Sequence, residues 1–394
     1  MASSADRPED AADVGLLSPV TAGTTVEAIT SDAAVLSTLV RVEAALSAAL
    51  VSTGVADTGS ADVLSGSAGL DARDLALASA HDGNPVVPLV RRLRADAGAA
   101  AEAVHHGATS QDIIDTALML VADQVCDRLR HDLGELGDTL ATLASEHERT
   151  LAVARTLTQQ ALPTTLGFRV AGWLAAVDDA KDRTDGLSLP ASLGGPVGTA
   201  AAYGAAGPAV LEELANRLGL SVPVSSWHTR RTAVLDLVHA LTAVTSACGT
   251  IAGDVLVMAQ TEVGEASEGD PGDSSSMPHK HNPAQSVLVA SAAARMAGPA
   301  SVLITAATSR TERPAGVWHA EWAPLREALR LGGASAERTL ALLRGLRFDH
   351  AALDRNLDHL LAALGKDRRW AQEQTDSVQV WIARVLKRHE ELVQ

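Results

Sequence analysis

Cysteine is almost missing from the 394-residue chain: Cys126 and Cys248 are its only two. A disulfide framework is therefore excluded, and no zinc cluster can be built on thiolates. Aromatic residues make up only 2% of the chain. A core poor in rings and rich in alanine suits closely packed helices better than a β-sandwich. Basic charge is the minority, with 32 Lys and Arg against 48 Asp and Glu and a net charge of −16. Nucleic acid and anionic membranes are thus not the expected partners, since both demand a basic surface. An anionic small molecule stays open, because a pocket can be positive inside a negative protein. No run of about 20 uncharged apolar residues stands out, so no membrane span is expected. The segment Met1–Gly15 lacks a basic n-region and an apolar h-region, so no secretion signal is read there. A cytoplasmic location is the resulting expectation.

What the chain does have is apolar content, 46%, with 20% charged residues. That is enough for a large core and is unlike a disordered acidic tail. At roughly 150 residues per domain, the length allows two or three domains or one large helical body. The sharpest periodicity follows Arg231: Val234, Leu237, Val238, Leu241, Val244, Cys248, Ile251, Val255 and Met258 recur at threes and fours. This predicts one helix of about seven turns, some 40 Å long. Such a helix needs long partners, and a helix bundle supplies them. Further helices are predicted over 32–51, 111–147, 165–183, 208–218, 284–307 and 322–346. Three loops interrupt them: Gly194–Thr199, Gly264–Asn282, and Thr311–Trp322. Strand signals are scarce. Composition places boundaries near residues 100 and 347, giving parts 1–100, 101–347 and 348–394.

Chemistry-bearing residues concentrate in the loop Gly272-Asp273-Ser274-Ser275-Ser276-Met277-Pro278-His279-Lys280-His281-Asn282-Pro283. Three serines, a lysine, an asparagine and free backbone donors on a mobile segment can bind a carboxylate and close over it. On composition alone, a solvent-exposed linker is the plainer reading. A metal site on His279 and His281 with Asp270 and Asp273 lacks a helical histidine pair and a clear third ligand. A second segment, Val104-His105-His106-Gly107-Ala108-Thr109-Ser110-Gln111-Asp112, puts two hydroxyls at a predicted helix start. Anions sit well there, although Thr-Ser before a helix is equally an ordinary N-cap.

Ser274 to Asn282 resembles the GSSxMPxKxN signature of the aspartase/fumarase superfamily from its first serine onward, with Asp273 in place of the glycine. His105 to Thr116 resembles the HxGATSxDxxDT motif, and His81-Asp82 sits where a related family histidine falls. Arg155 to Gly167 is similar to the corresponding stretch of adenylosuccinate lyases, but their catalytic histidine falls at Leu157, which cannot transfer a proton. RTxxQQALPTTxG is instead similar to bacterial 3-carboxy-cis,cis-muconate cycloisomerases. So are Glu312 to Trp322, against ERxAGxWHAEW, and Trp227-His228-Thr229. The RDR continuation keeps only Arg231 before Thr232 and Ala233. The tryptophans also suit plain core or interface packing.

The resemblance covers residues 15 to 347 and implies an all-α, three-part, fumarase/aspartase-like fold with a long central bundle and a shortened C-terminal domain. It implies a homotetramer with active sites shared between subunits, a small tricarboxylate substrate, and no cofactor or metal. The implied reaction is lactonisation of 3-carboxy-cis,cis-muconate to 4-carboxymuconolactone. Ser274, Lys280, Asn282 and His105 would be catalytic. Thr109, Ser110, Gln111, His81, Arg155, Gln159, Gln160, Ser275, Met277 and Arg313 would bind substrate. Adenylosuccinate or another C–N lyase, a lyase repurposed for a different dicarboxylate, and an inactive homologue are the alternatives.

Overall fold

Residues 15–57 and 69–393 are described by the computed structural model; residues 1–14, most of the segment read for a secretion signal, lie outside the described residues. The first part carries α1 (Thr25–Ile29), α2 (Asp32–Ser52), α3 (Ala72–Asp82) and α4 (Val86–Ala97). Next come α5 (Ser110–Glu146), a hairpin of β1 (Leu151–Thr156) and β2 (Gln159–Thr165), α6 (Leu166–Asp185) and α7 (Gly207–Leu218). The chain continues through α8 (Thr232–Met258), β3 (Ala266–Ser267), α9 (Ala284–Ala306), α10 (Val317–Gly345) and β4 (Arg347–Phe348). It ends on α11 (His350–Leu364), α12 (Arg368–Thr375) and α13 (Val378–Val393).

The apolar stripe after Arg231 forms α8 in full, and every residue of that stripe is buried. It packs with α9, α10 and α6, while α5 packs against α6 and α10, so these five long helices make the bundle. One continuous hydrophobic cluster runs from Val20 to Ile382. A smaller one, with Val153, Leu357, Leu360, Leu361 and Ala371, fastens α11 and α12 to the hairpin. Burial pushes the thiols up, to about 12 for Cys126 and about 11 for Cys248, so both stay protonated and behave as small hydrophobes.

The structure corrects the sequence reading in three places. The helix expected from 322 begins at Val317, after Gly316 in the left-handed region at φ +79°, so Trp318 and Trp322 stand on a helix rather than in a loop. Residues 151–165 pair as an antiparallel hairpin. Its turn residues Leu157 and Thr158 both have positive φ, +49° and +69°. A primed turn normally announces itself by Asn or Gly, and its absence here hid the hairpin. Finally, α2, α8 and α9 are each long and apolar enough, by length and composition, to cross a membrane. The expectation looked for uncharged runs, whereas Arg41, Glu43, Asp236, Asp254 and Arg295 interrupt helices whose average is still apolar. In α2 and α8 half of that apolar window is buried within the fold.

Polar bonds also hold the bundle. Arg231 is buried between two carboxylates, donating to Asp115 Oδ2 at 2.6 Å and Oδ1 at 3.1 Å, and from Nε to Glu321 at 3.1 Å. Trp318 Nε1 donates to the same Asp115 at 3.0 Å, and the Trp227 ring stacks 4.7 Å from the guanidinium. Burial by itself would lower the arginine pKa; Asp115 and then Glu321 outweigh it and raise it. Burial raises the Glu321 carboxyl, against the pull of Arg231. Arg231→Met should therefore cost about 3–5 kcal/mol, because it strands two buried carboxylates. Urea unfolding checks this, and a midpoint equal to wild type would show that the triad contributes nothing.

Candidate functional site

The start of α5 is built around Asp112, which is fully buried. Its carboxylate accepts from the N–H groups of Thr109 (2.9 Å), Gly194 (2.7 Å) and Gly195 (2.9 Å), from Ser192 Oγ (3.3 Å) and from His228 Nε2 (2.7 Å). Asp112 thus ties the glycine loop and the Trp227-His228 segment to the helix N-terminus that carries Thr109 and Ser110. A carboxylate at the third helical position complements both the unpaired N–H groups and the helix dipole. Gly107, at φ +71°, lies so close to Tyr203 that a Cβ would come within 2.6 Å of the ring. The Tyr203 hydroxyl donates to His106 O at 2.8 Å, and burial raises its pKa.

Arg313 reaches this corner from the loop before α10. Its guanidinium donates to Thr109 Oγ1 (2.8 Å), Gln111 Oε1 (3.3 Å) and Pro196 O (3.2 Å). All three acceptors are neutral, so an exposed cation sits beside Thr109 with no carboxylate partner among the described residues. His105 is mostly buried and bonds Glu43 through Nδ1 at 2.7 Å.

Not every predicted site residue faces outward. Gln111 is fully buried, with its amide donating to His228 O at 2.9 Å and Asp115 at 3.2 Å. Its side chain is engaged within the fold. Arg155 is likewise engaged, in a two-point ion pair with Glu265 at 3.0 and 2.7 Å, and Asn356 Nδ2 donates to the same Glu265 at 2.8 Å. That pair binds the hairpin to the chain after α8. Gln159 and Gln160 are exposed beside the hairpin tip, where Leu157 is 95% exposed. His81 is exposed on the last turn of α3.

The serine-rich loop is closed at its base and open at its tip. Gly272 and Asn282 pair through two backbone hydrogen bonds, 2.8 and 2.9 Å. Glu268 accepts from Gln285 N, Ser286 N and Ser286 Oγ at 3.0, 2.8 and 2.6 Å, anchoring the loop to the first turn of α9. Within the loop, Ser274 Oγ accepts from Met277 N at 3.2 Å, and Asn282 Nδ2 donates to Asp273 O at 3.2 Å. Ser275, Met277 and Lys280 are exposed. Among the described residues no group of three His, Cys, Asp or Glu could hold a metal, so the His279 and His281 reading finds no third ligand.

Asp112, Asp115, His228, Arg231 and Glu321 lie within or beside the sequence motifs, but their roles as buried anchors emerge only from the fold. The spacing of Asp112 and Asp115, three apart in an otherwise apolar helical stretch, was the available signal for buried polar anchors. Among the described residues, no hydrogen bond or ion pair joins the α5 corner, the hairpin tip residues and the Ser274–Asn282 loop to one another. The three corners are separately built.

The family described as Lyase matches residues 82–298. A nitrosuccinate lyase of Streptomyces davaonensis is 43% identical over 366 residues, covering 88% of this chain and 77% of that protein. A 3-carboxy-cis,cis-muconate cycloisomerase of Bradyrhizobium diazoefficiens is 38% identical over 358 residues, covering 87% and 79%. Among solved structures, the 3-carboxy-cis,cis-muconate lactonizing enzyme from Pseudomonas putida superposes with a TM-score of 0.87 at 30% identity, covering 96% of this chain and 100% of that one.

Proposed function

The chain belongs to the lyase family of the aspartase/fumarase superfamily and has its all-α fold, and from that premise we propose that it makes or breaks a bond one carbon away from a carboxylate-bearing carbon of a small polycarboxylate. The observation that carries the reading is the Ser274–Asn282 loop: pinned at its base, with an exposed Lys280 and free backbone donors at its tip. A linker has no use for such a base.

The first assignment is lactonisation of 3-carboxy-cis,cis-muconate, in the cytoplasm. One substrate carboxylate oxygen forms a C–O bond to the conjugated C=C. The π pair moves onto the neighbouring carbon and its carboxylate as an enediolate, and Ser274 Oγ–H delivers the proton to that carbon. In the reverse direction the serine oxygen removes it. Lys280, Asn282 and loop N–H groups face the developing charge, where preorganised donors are most effective. Serine has a high pKa, so it depends on that cation and those amides. His105, Thr109 and Ser110 hold or polarise a second carboxylate, with Arg313 beside them. Leu157 in the histidine's place speaks against adenylosuccinate.

A second reading rests on the 43% identity to a nitrosuccinate lyase. In it the same serine removes the proton next to a carboxylate, and the enediolate pair expels nitrite to leave a C=C bond. An ultraviolet assay with 3-carboxymuconate, fumarate, adenylosuccinate and argininosuccinate, run beside nitrite release from nitrosuccinate, separates the two. Turnover of adenylosuccinate in preference to both would overturn the assignment.

We also read the protein as a homotetramer. Val287, Val302 and Ile304 of α9 are exposed in the single chain, and the bundles of further copies would cover them. Because the charge is met by hydrogen-bond donors, EDTA should leave activity unchanged. Loss of activity in EDTA, restored by one divalent metal, would contradict this.

A further inference from the structure

We infer that Glu43 is a positioning residue of this site: it fixes the ring and the tautomer of His105 so that Nε2 is the nitrogen offered to substrate. The inference rests on the reading that places His105 in the site. Glu43 stands on α2, more than sixty residues earlier, and its side chain is 0% exposed. Oε1 lies 2.7 Å from His105 Nδ1, while Oε2 is buried without a hydrogen-bond partner.

That asymmetry is informative. Glu268 and Asp112, the buried carboxylates that brace the loop and the α5 start, engage several main-chain donors each. Among the described residues Glu43 engages no main-chain donor, and its one hydrogen bond is to His105. A buried carboxylate accepts, and Nδ1 must then carry the proton, leaving the Nε2 lone pair unshared. His105 also holds φ at +60°, a conformation that costs a non-glycine residue and persists where surroundings impose it. The backbone strain and the buried anion both serve one ring orientation.

The ring opens where a ligand can reach it. Its side chain is 15% exposed and lines a cleft of about 340 Å³ with Ser110, Arg91 and Arg94. Arg94 donates from Nε and Nη2 to Val104 O, at 3.3 and 3.1 Å, a neutral acceptor. Arg91 is paired with Asp82 at 3.4 Å, so it is the hydroxyl at a helix start, the Arg94 guanidinium and an imidazole nitrogen with a lone pair that suit a carboxylic group that gains or loses a proton. A carboxylate behind an imidazole is a general way to orient the ring and fix its tautomer.

The test begins on the unmodified protein. With 15N-labelled histidine, two-bond spectra at pH 8 report the tautomer of each ring, and His105→Ala identifies the His105 signals. The expected wild-type state is Nδ1–H; an Nε2–H ring would overturn the proposal without any variant or substrate. Glu43→Gln, which can accept or donate, should give a tautomer mixture. With 3-carboxymuconate or nitrosuccinate, whichever is turned over, Glu43→Gln should lower kcat about 10- to 100-fold with KM within about threefold. Added to His105→Ala, it should cost less than about twofold more. Full kcat in Glu43→Gln, or effects that multiply, would reduce Glu43 to a structural residue. If the wild type turns over neither substrate, the functional reading fails while the tautomer still decides the pair.

Discussion

Ser274→Ala is expected to lower turnover at least about 100-fold, the scale of one general acid–base group, while leaving the fold intact. Among the described residues the one hydrogen bond of Ser274 Oγ is short-range, accepted from Met277 N inside its own loop. The loop's base is held elsewhere, by the Gly272–Asn282 pair and by Glu268 on the first turn of α9. Removing one hydroxyl therefore takes away the proposed proton carrier and almost no stability. Steady-state kinetics with the turned-over substrate, beside thermal unfolding of the same preparation, separates the two effects. Turnover near wild type would remove Ser274 from the mechanism, and Lys280 would have to be tested in its place.

Mixing His105→Ala with Ser274→Ala should restore activity that neither variant has alone. Among the described residues, the α5 corner and the serine-rich loop share no hydrogen bond or ion pair within one chain. If different chains of a tetramer bring them together, each pure variant has a lesion in every site. In random mixed tetramers, a site needs its histidine from one parent and its serine from the other. Half times half gives recovery of about a quarter of wild-type activity, provided the sites act independently. Co-refolding followed by activity assay and sedimentation measures both the recovery and the tetramer. Variants that stay dead when demonstrably mixed, or an active monomer, would refute the shared site.

The long bundle helices and the chemistry-bearing loops were legible in the chain alone, whereas α1, α3 and α4 were not. An apolar stripe sustained after Arg231 can bury only as one long helix, and the described α8 matches it from Thr232 to Met258. The Ser274–Asn282 run could be singled out because donors and a cation without apolar spacing have no use in a core. Where sequence reasoning fell short, the missing information was spatial. The hairpin was hidden because Leu157 and Thr158 adopt positive φ without the glycine or asparagine that would advertise it. Nothing in the spacing of Gln111 or Arg155 says that their side chains are consumed by His228 O, Asp115 and Glu265. Tertiary packing alone decides which polar residue spends its hydrogen bonds inside and which keeps them for a ligand. Hence Glu43 and His105, in separate segments, meet only in the folded chain, where burial makes their one bond matter.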